Sequence, residues 1–404
     1  MTDISNASWS GPLSGVRVLD FSRVLAGPFG SQLLADLGAE IIKVESPGGG
    51  DDTRGFPPMR DGVSHYFLSV NRNKKSIVVD LKTPAGVALA KELAGACDIL
   101  IENYRPGVMD RLGLGYDVLS AINPRLIYCA ISGFGMTGPL RDRPSFDIVV
   151  QALSGALSVN GEKGRPPTKL GIPMGDLSGG IYGALGVLAA LHERHTTGRG
   201  RLIDVSLLDS LMGLLGYLAQ LAIFTGEDPK PQGSEHPSLT PYGTFPAKDG
   251  AIVIACLTEA FWWRVCTALG IPEMVSDRRF VTLEHRRANR AEVTALISEI
   301  TERYTMAELE GLFIEHEVPH APVLGIHDAL NHPQSAAREM VVTVPHPVLG
   351  EIPVVGRSIK FPGAEQAPLT APPTLGQHTD EILRDLLGRS DDEIDSLRAA
   401  GAIA

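Results

Sequence analysis

The chain has 404 residues, 44% of them hydrophobic and 21% charged, the mix of a globular protein with room for two domains, which excludes disorder and collagen-like repeats. Its 36 basic and 47 acidic residues leave a formal charge of −11, and the basic ones are scattered, which argues against a nucleic-acid partner. Cys97, Cys129, Cys256 and Cys266 stand singly in apolar stretches with no Cys-x-x-Cys pair, the pattern of a reducing, cytoplasmic setting.

Residues 1–14 carry no Lys or Arg, so neither a secretory nor a transit leader is expected. From there short β-branched runs alternate with helical stretches. Val16–Phe21, Ile41–Val44, Ile77–Val79, Ile99–Glu102 and Leu126–Ile131 read as strands. Gly30–Leu37 reads as a helix, and Pro84–Leu93 as another with Thr83 as its cap. The alternation predicts a parallel, doubly wound α/β sheet. Ile181–Leu191 is too short for a membrane span, and Leu207–Phe224 is interrupted by Asp209, Ser210 and Gln220. Both are expected to be buried helices, with no membrane contact.

Asp228–Pro241 is rich in turn formers and marks a linker. Tyr242–Cys256 reads as a hairpin turning at Lys248–Gly250, followed by helices over Glu259–Leu269, Arg287–Thr301 and Met306–His316, together a small α+β module. Beyond Pro333 the chain is expected to be extended and proline-rich, to end in a charged helix near Thr379–Leu387, and to pack back on the first domain. The expected boundaries are therefore 1–225 for a large domain, 226–332 for a small domain with its linkers, and 333–404 for a return to the large domain.

Gly133, Gly135 and Gly138 follow the strand Leu126–Ile131 in a Gly-x-Gly-x-x-Gly pattern. Prolines Pro139 and Pro144 stand where a dinucleotide site needs a helix N-terminus, so the loop reads as a ligand-bordering turn at the carboxyl edge of the sheet. No Walker loop, Gly-x-Ser-x-Gly elbow or His-Glu-x-x-His occurs. The pairs His192 and His195, and His316 and His320, read as helix ends, so no metal site is expected.

In Gly171–Gly180 the carboxylate of Asp176 stands between glycines as a long apolar helix begins. It reads as an N-cap, kept ionised by the helix dipole and by amide donors, and open to a bulky substrate as a nucleophile. Arg23, Arg54, residues 71–75, Lys82, Asn103, Arg105 and Arg111 lie at strand ends and turns, and together suggest an electropositive patch for a phosphorylated ligand.

Several segments carry a resemblance. They are Val18–Pro28, Leu37–Glu45, Gly50–Arg54, Asn71–Ser76, Glu102–Gly107, Met174–Gly180 and Leu375–Thr379. In that order, from about Pro12 to Leu387, they resemble the family III CoA-transferases, the group of formyl-CoA transferase and the carnitine CoA-transferases. The resemblance implies a Rossmann-like large domain built from both chain ends, a small domain between them, and two ring-like subunits interlocked as a homodimer. It implies that Asp176 is the nucleophile and that Arg23, Val24, Ala26, Val79, Lys82, Asn103, Tyr104, Arg111, Gly133 and Phe134 contact coenzyme A. CoA and acyl-CoA are then substrates, with no tightly bound cofactor.

On that reading Asp176 attacks an acyl-CoA to give a mixed anhydride, and CoA thiolate converts it to an aspartyl-CoA thioester from which the acceptor acid takes CoA. Amides near Gly179 and Gly180 are candidate oxyanion donors. Some relatives shield the site with four consecutive glycines, a run absent here. The segments at Arg23, residues 71–75 and Glu235–Gly243 are most like members using succinyl-CoA and short dicarboxylic acids, with Arg72 and His236, or Arg23, as candidates for the second carboxylate. Two alternatives stand beside transfer. One is an α-methylacyl-CoA racemase or epimerase, disfavoured because Phe146 falls where that branch has a catalytic histidine. The other is a non-catalytic CoA-binding relative.

Overall fold

The computed structural model describes residues 11–364 and 366–404. The chain divides into two units. One is formed by the chain up to Ala156, by Leu170–Gly226 and by Gln334–Ala404; the other by Leu157–Lys169 and Glu227–Pro333.

The first unit runs β1 (Arg17–Asp20), α1 (Ala26–Asp36), β2 (Glu40–Glu45), β3 (Lys74–Val78), α2 (Pro84–Ala96), β4 (Ile99–Glu102) and β5 (Ile127–Ser132). It continues with α3 (Asp147–Leu153), α4 (Met174–Thr197), β6 (Leu202–Ser206), α5 (Leu207–Gly213) and α6 (Tyr217–Thr225). The six strands pair in parallel in the order β3-β2-β1-β4-β5-β6. That order reverses between β1 and β4, and the crevice outside the carboxyl ends of the strands at such a switch point is where open α/β sheets bind ligands.

Strand alternation builds the two faces. Val18, Ile41, Ile99 and Ile127 point into a core shared with Leu34 of α1 and Val187 of α4. Leu19, Ile42, Leu100 and Tyr128 point into the opposite core with Leu89 and Leu93 of α2. Thr83 caps α2 as expected, its Oγ1 accepting the Gly86 N–H at 3.0 Å. The β3 strand starts three residues before the predicted run. Its polar first residues are paired inside the unit, Lys74 with Asp20 and Lys75 with Glu40, so hydrophobicity alone does not reveal it.

By length and composition α4 is long enough to cross a membrane, yet its Ala184, Val187 and Leu191 belong to the sheet core. It crosses α1 at two glycines. A Cβ on Gly180 would stand 2.6 Å from the Ala26 carbonyl oxygen, and one on Gly30 would stand 2.9 Å from that of Gly180. The Leu207–Phe224 expectation needs correction. Leu207 and Leu211 of α5 are buried, but no residue of the described α6 is, and Phe224 is 86% exposed. Continuous apolarity marks a covered helix only if this chain supplies the cover.

In the second unit β7 (Tyr242–Ala247), β8 (Gly250–Ala255) and a later strand, β9 (His320–Pro322), form an antiparallel sheet in the order β9-β8-β7. Against it pack α7 (Glu259–Ala268), α8 (Arg290–Thr301) and α9 (Met306–Glu315), through Trp262, Val265, Ile297 and Phe313. The helix expected from Arg287 begins at Arg290 after a separate turn, Leu283–Ala288.

After Pro333 the expected extended chain forms a hairpin of β10 (Val341–His346) and β11 (Gly350–Val355). Then α10 (Thr379–Leu387) appears as predicted, followed by an unpredicted α11 (Asp391–Ala399). A capping box of Ser390 and Glu393 starts α11. The segment closes the β3 edge, with the Ser76 N–H donating to His378 Nδ1 at 3.2 Å and the His378 N–H to the Ser76 carbonyl at 2.9 Å. Ile382, Leu383 and Ile394 complete the core on the α2 side.

The α1–α4 crossing gives a test of the architecture. Gly180→Ala should force the helices apart against backbone atoms, destabilise the protein by about 1–3 kcal/mol and lower its Tm by several degrees in thermal denaturation. An unchanged Tm would mean that the crossing is loose.

Candidate active site

The first turn of α4 carries Asp176. Pro173 precedes the helix and has no side chain to cap it. The cap comes from α3 instead: Asp147 Oδ1 accepts the N–H of Gly175 at 2.8 Å and of Asp176 at 3.3 Å. Gln151 Nε2 donates to Asp147 Oδ2 at 2.5 Å, while Gln151 Oε1 accepts the Leu170 N–H at 2.9 Å. Gly175 permits this approach, since a Cβ there would stand 2.9 Å from Asp147 Oδ1 and 2.5 Å from Val150.

This corrects the expectation that Asp176 is the N-cap and is held ionised. Its carboxyl accepts no hydrogen bond and pairs with no cation among the described residues, because the amide donors serve Asp147. Burial, and then the neighbouring Asp147 charge, push it from 3.8 up to about 7. Asp176 is thus about half protonated near neutrality.

A cavity of about 630 Å³ opens above the carboxyl ends of β1, β4 and β5, with Asp176 in its wall. Six of the expected CoA contacts line it: Arg23, Val24, Ala26, Asn103, Tyr104 and Gly133. Their positions are strongly determined. Asn103 Oδ1 accepts the Arg23 N–H at 2.8 Å and its Nδ2 donates to the Arg23 carbonyl at 2.7 Å. The Arg23 guanidinium pairs with Asp52 at 3.2 Å and lies over the Tyr104 ring at 5.1 Å. Val24 has a left-handed φ of 65°, unusual for a β-branched residue, and its N–H donates to Asp51 at 3.2 Å. Gly133 lets the Pro144–Phe146 strap close in, since a Cβ there would meet Ser145 Cβ at 2.3 Å.

The other four stand off the cavity wall. Val79 is buried, its N–H donating to the Glu45 carbonyl. Phe134 packs in the core on the α1–α4 side. Lys82 and Arg111 are exposed on the surface. Of the acid-binding candidates, Arg72 is buried in an ion pair with Asp36, which takes its guanidinium away from any substrate. His236 belongs to the second unit, where its Nδ1 accepts the Ser238 N–H at 3.0 Å and its ring lies 5.1 Å from that of Tyr242.

The expected electropositive patch also changes. Arg54 pairs with Glu45, Lys74 with Asp20, and Lys75 with Glu40 and Glu381, so these cations are neutralised within the chain. The cavity instead gathers Arg23, Arg105, Arg141 and Arg143. Arg141, Arg143, Ser145 and Asp147 were missed as site residues. The visible signal was a basic, proline-containing segment between a glycine loop and a helix. Gly179 and Gly180 are likewise not oxyanion donors. They lie inside α4, where the N–H groups serve the helix ladder, and their missing Cβ atoms make room for Leu207 and for α1.

The raised Asp176 carboxyl makes stability depend on pH. The folded protein keeps a proton that the unfolded chain releases, so stability falls as pH rises from about 4 to about 7 and is level above. Asp176→Asn should remove this penalty, stabilising by about 2–4 kcal/mol at pH 8 with little effect at pH 4. Asp147→Asn loses the charge but also sets an NH2 against the Gln151 Nε2 donor, so it should lower stability at pH 4 while making the fall towards pH 7 shallower than in the wild type. Tm values across that range check both, and an Asp176→Asn gap that does not widen with pH would contradict the assignment.

The family model for CoA-transferase family III matches residues 13–379. The chain is similar to the succinyl-CoA:glutarate CoA-transferase of Homo sapiens, 39% identical over 97% of this chain and 90% of that protein. It is equally similar, 39% over 97% and 98%, to the succinyl-CoA:D-citramalate CoA-transferase of Chloroflexus aurantiacus. Its fold resembles that of a CAIB/BAIF family protein from Brucella suis, with a TM-score of 0.86 and 38% identity over 94% of this chain and 100% of that one. It also resembles Rv3272 from Mycobacterium tuberculosis, with a TM-score of 0.80 and 32% identity over 92% and 98%. The fold, the cavity and these relationships together make the chain a member of the family III CoA-transferases, an enzyme that moves coenzyme A between carboxylic acids.

Proposed function

We propose that the enzyme transfers CoA between succinyl-CoA and a short dicarboxylic acid through a thioester on Asp176. The observation that carries this reading is the Asp176 carboxyl itself, desolvated, without a counter-cation among the described residues and set in the cavity wall. The carboxylate attacks the thioester carbonyl and expels CoA thiolate, leaving an aspartyl–acyl anhydride. The thiolate then attacks the aspartyl carbonyl, releasing the donor acid as carboxylate and forming aspartyl-CoA. The acceptor carboxylate attacks that thioester, and the thiolate returning to the acceptor's carbonyl frees Asp176.

The α1 N-terminus has no side-chain cap and borders the cavity through Leu25 and Ala26. It supplies the amide donors for the oxyanion. The acyl end of CoA lies along Arg23, Val24, Ala26, Asn103, Tyr104 and Gly133. Lys82 and Arg111 receive its nucleotide phosphates at the surface, with Val79 in the core on the α2 side beneath them. The succinyl donor and dicarboxylic acceptor follow from the named activities of the relatives. Phe146, 74% exposed and on the cavity wall, offers no proton-transfer group, which favours transfer over racemisation. The four cysteines are free and buried, in keeping with a cytoplasmic setting.

The chain works as an interlocked homodimer on this reading. Support comes from the uncovered apolar surface of α6, where Ile223 is 76% and Phe224 86% exposed. Sedimentation should give the mass of two chains, and a stable, active monomer would overturn the dimer. Turnover of succinyl-CoA with hydroxylamine should place a hydroxamate on Asp176 by mass spectrometry. Asp176→Ala should abolish transfer while acyl-CoA binding persists. Unlabelled Asp176 during rapid turnover would end the covalent mechanism.

A further inference from the structure

Of the four guanidiniums on the cavity wall, two are engaged: Arg23 with Asp52 at 3.2 Å, and Arg141 with Asp142 at 3.9 Å. Those of Arg105 and Arg143 have no ion pair or hydrogen bond among the described residues. Arg105 stands on the Asn103–Pro106 segment, whose Asn103 is bonded to Arg23, on the side given above to CoA.

Arg143 stands on the strap that leads into α3 and closes over Gly133, at the acyl end of the CoA path. Ser145, on the same strap and also lining the cavity, has a buried Oγ with no hydrogen-bond partner. Across Gly133, the buried Ser132 Oγ is orphaned in the same way. A buried hydroxyl without a partner is a net loss to the fold unless something that binds there completes it. Two residues beyond Ser145, Asp147 accepts the Gly175 and Asp176 N–H groups. The strap and the nucleophile are thereby held in one rigid assembly.

We propose that Arg143, with the Ser145 hydroxyl beside it, binds the second carboxylate of the acid whose first carboxylate reacts at Asp176. This rests on the dicarboxylate reading above. A guanidinium and a hydroxyl donor together suit a carboxylate. The remote carboxylate keeps its charge through every covalent step, so its binding is uniform across the reaction and shows in KM more than in kcat. A CoA phosphate is the other anion within reach, and the test separates the two sources.

Arg143→Gln, Arg143→Lys and Ser145→Ala are compared with the wild type using glutarate and pentanoate as acceptors. Arg143→Gln should lower the ratio of kcat/KM for glutarate to that for pentanoate about tenfold to hundredfold, through KM for glutarate. Arg143→Lys should recover part of it, and Ser145→Ala should lower the ratio roughly twofold to tenfold. The hydroxamate on Asp176 should form in all three variants. An unchanged ratio would overturn the proposal. So would equal losses for both acids with weakened CoA binding, which would make Arg143 a phosphate contact. Failure of the wild type to label at Asp176 would instead remove the covalent reading beneath it.

Discussion

A carboxyl group held out of water beside a second carboxylate is the constraint around which this site is built. A helix N-terminus ordinarily favours an anion through its dipole and free amides. Here the amides of Gly175 and Asp176 bond to Asp147, so Asp147 receives the stabilisation and Asp176 the repulsion. The move from 3.8 to about 7 favours the neutral over the ionised carboxyl by roughly 4 kcal/mol at most. Acylation also neutralises the group. An aspartyl anhydride or thioester therefore relieves the same repulsion and desolvation that the free carboxylate bears. In this environment Asp176 is more basic than an ordinary aspartate, and on the proposed mechanism its covalent adducts lie closer in free energy to the free enzyme.

Such a group is useful only if its surroundings do not relax, and the first unit contains two devices that prevent relaxation. One is the glycine contact between α1 and α4, which sets the Asp176 turn against the α1 N-terminus with backbone touching backbone. The other is a buried ionic network beneath the Ser22–Ala26 turn. Lys43 pairs with Asp51 at 2.8 Å and donates to the Ser22 carbonyl at 2.8 Å, while Lys74 reaches Asp20 at 3.3 Å. All four side chains are fully buried. Buried pairs of this kind add little net stability because desolvation offsets attraction. Their consequence is geometric: Asp51 holds the Val24 N–H and keeps that residue in its left-handed conformation at the cavity edge.

Five of the six strands were legible in the sequence because they are short apolar runs between helices, and parallel strands covered on both faces must be apolar; the edge strand β6, LIDVS with only its last two residues buried, was not. Where the strand is polar, as at Lys74 and Lys75, periodicity failed, and only the partners Asp20 and Glu40 explain the residues. Asp176 was legible as a carboxylate between glycines, but its state was not. A residue at a helix start reads as a cap, and nothing local says that Asp147, 29 residues earlier, has taken that role. Arg72 looked like a ligand for the same reason, since a cation at a strand edge shows its charge in the sequence and hides its partner. The exposed α6 is the reverse case, a segment apolar enough to be core that finds no cover among the described residues of its own chain.

The distribution of charge also bears on how one cavity serves two acids. On the proposed route the donor acid leaves as a carboxylate in the first half-reaction, and in the second the acceptor carboxylate enters and becomes neutral as anhydride and then thioester, so donor and acceptor occupy the same volume in turn. Cations fixed next to Asp176 would stabilise its ionised form and weaken it as a nucleophile. The described cations avoid that position: Lys43, Lys74, Arg54 and Arg72 are tied to carboxylates away from the cavity wall, and among the described residues no cation pairs with Asp176. Positive charge is kept to the rim formed by Arg23, Arg105, Arg141 and Arg143. There it can attract anionic substrates from solution while the reacting carboxyl stays in a poorly solvating pocket. On the proposed mechanism, separating the charge that gathers substrates from the carboxyl that reacts with them lets one site bind strongly anionic molecules and still keep Asp176 basic.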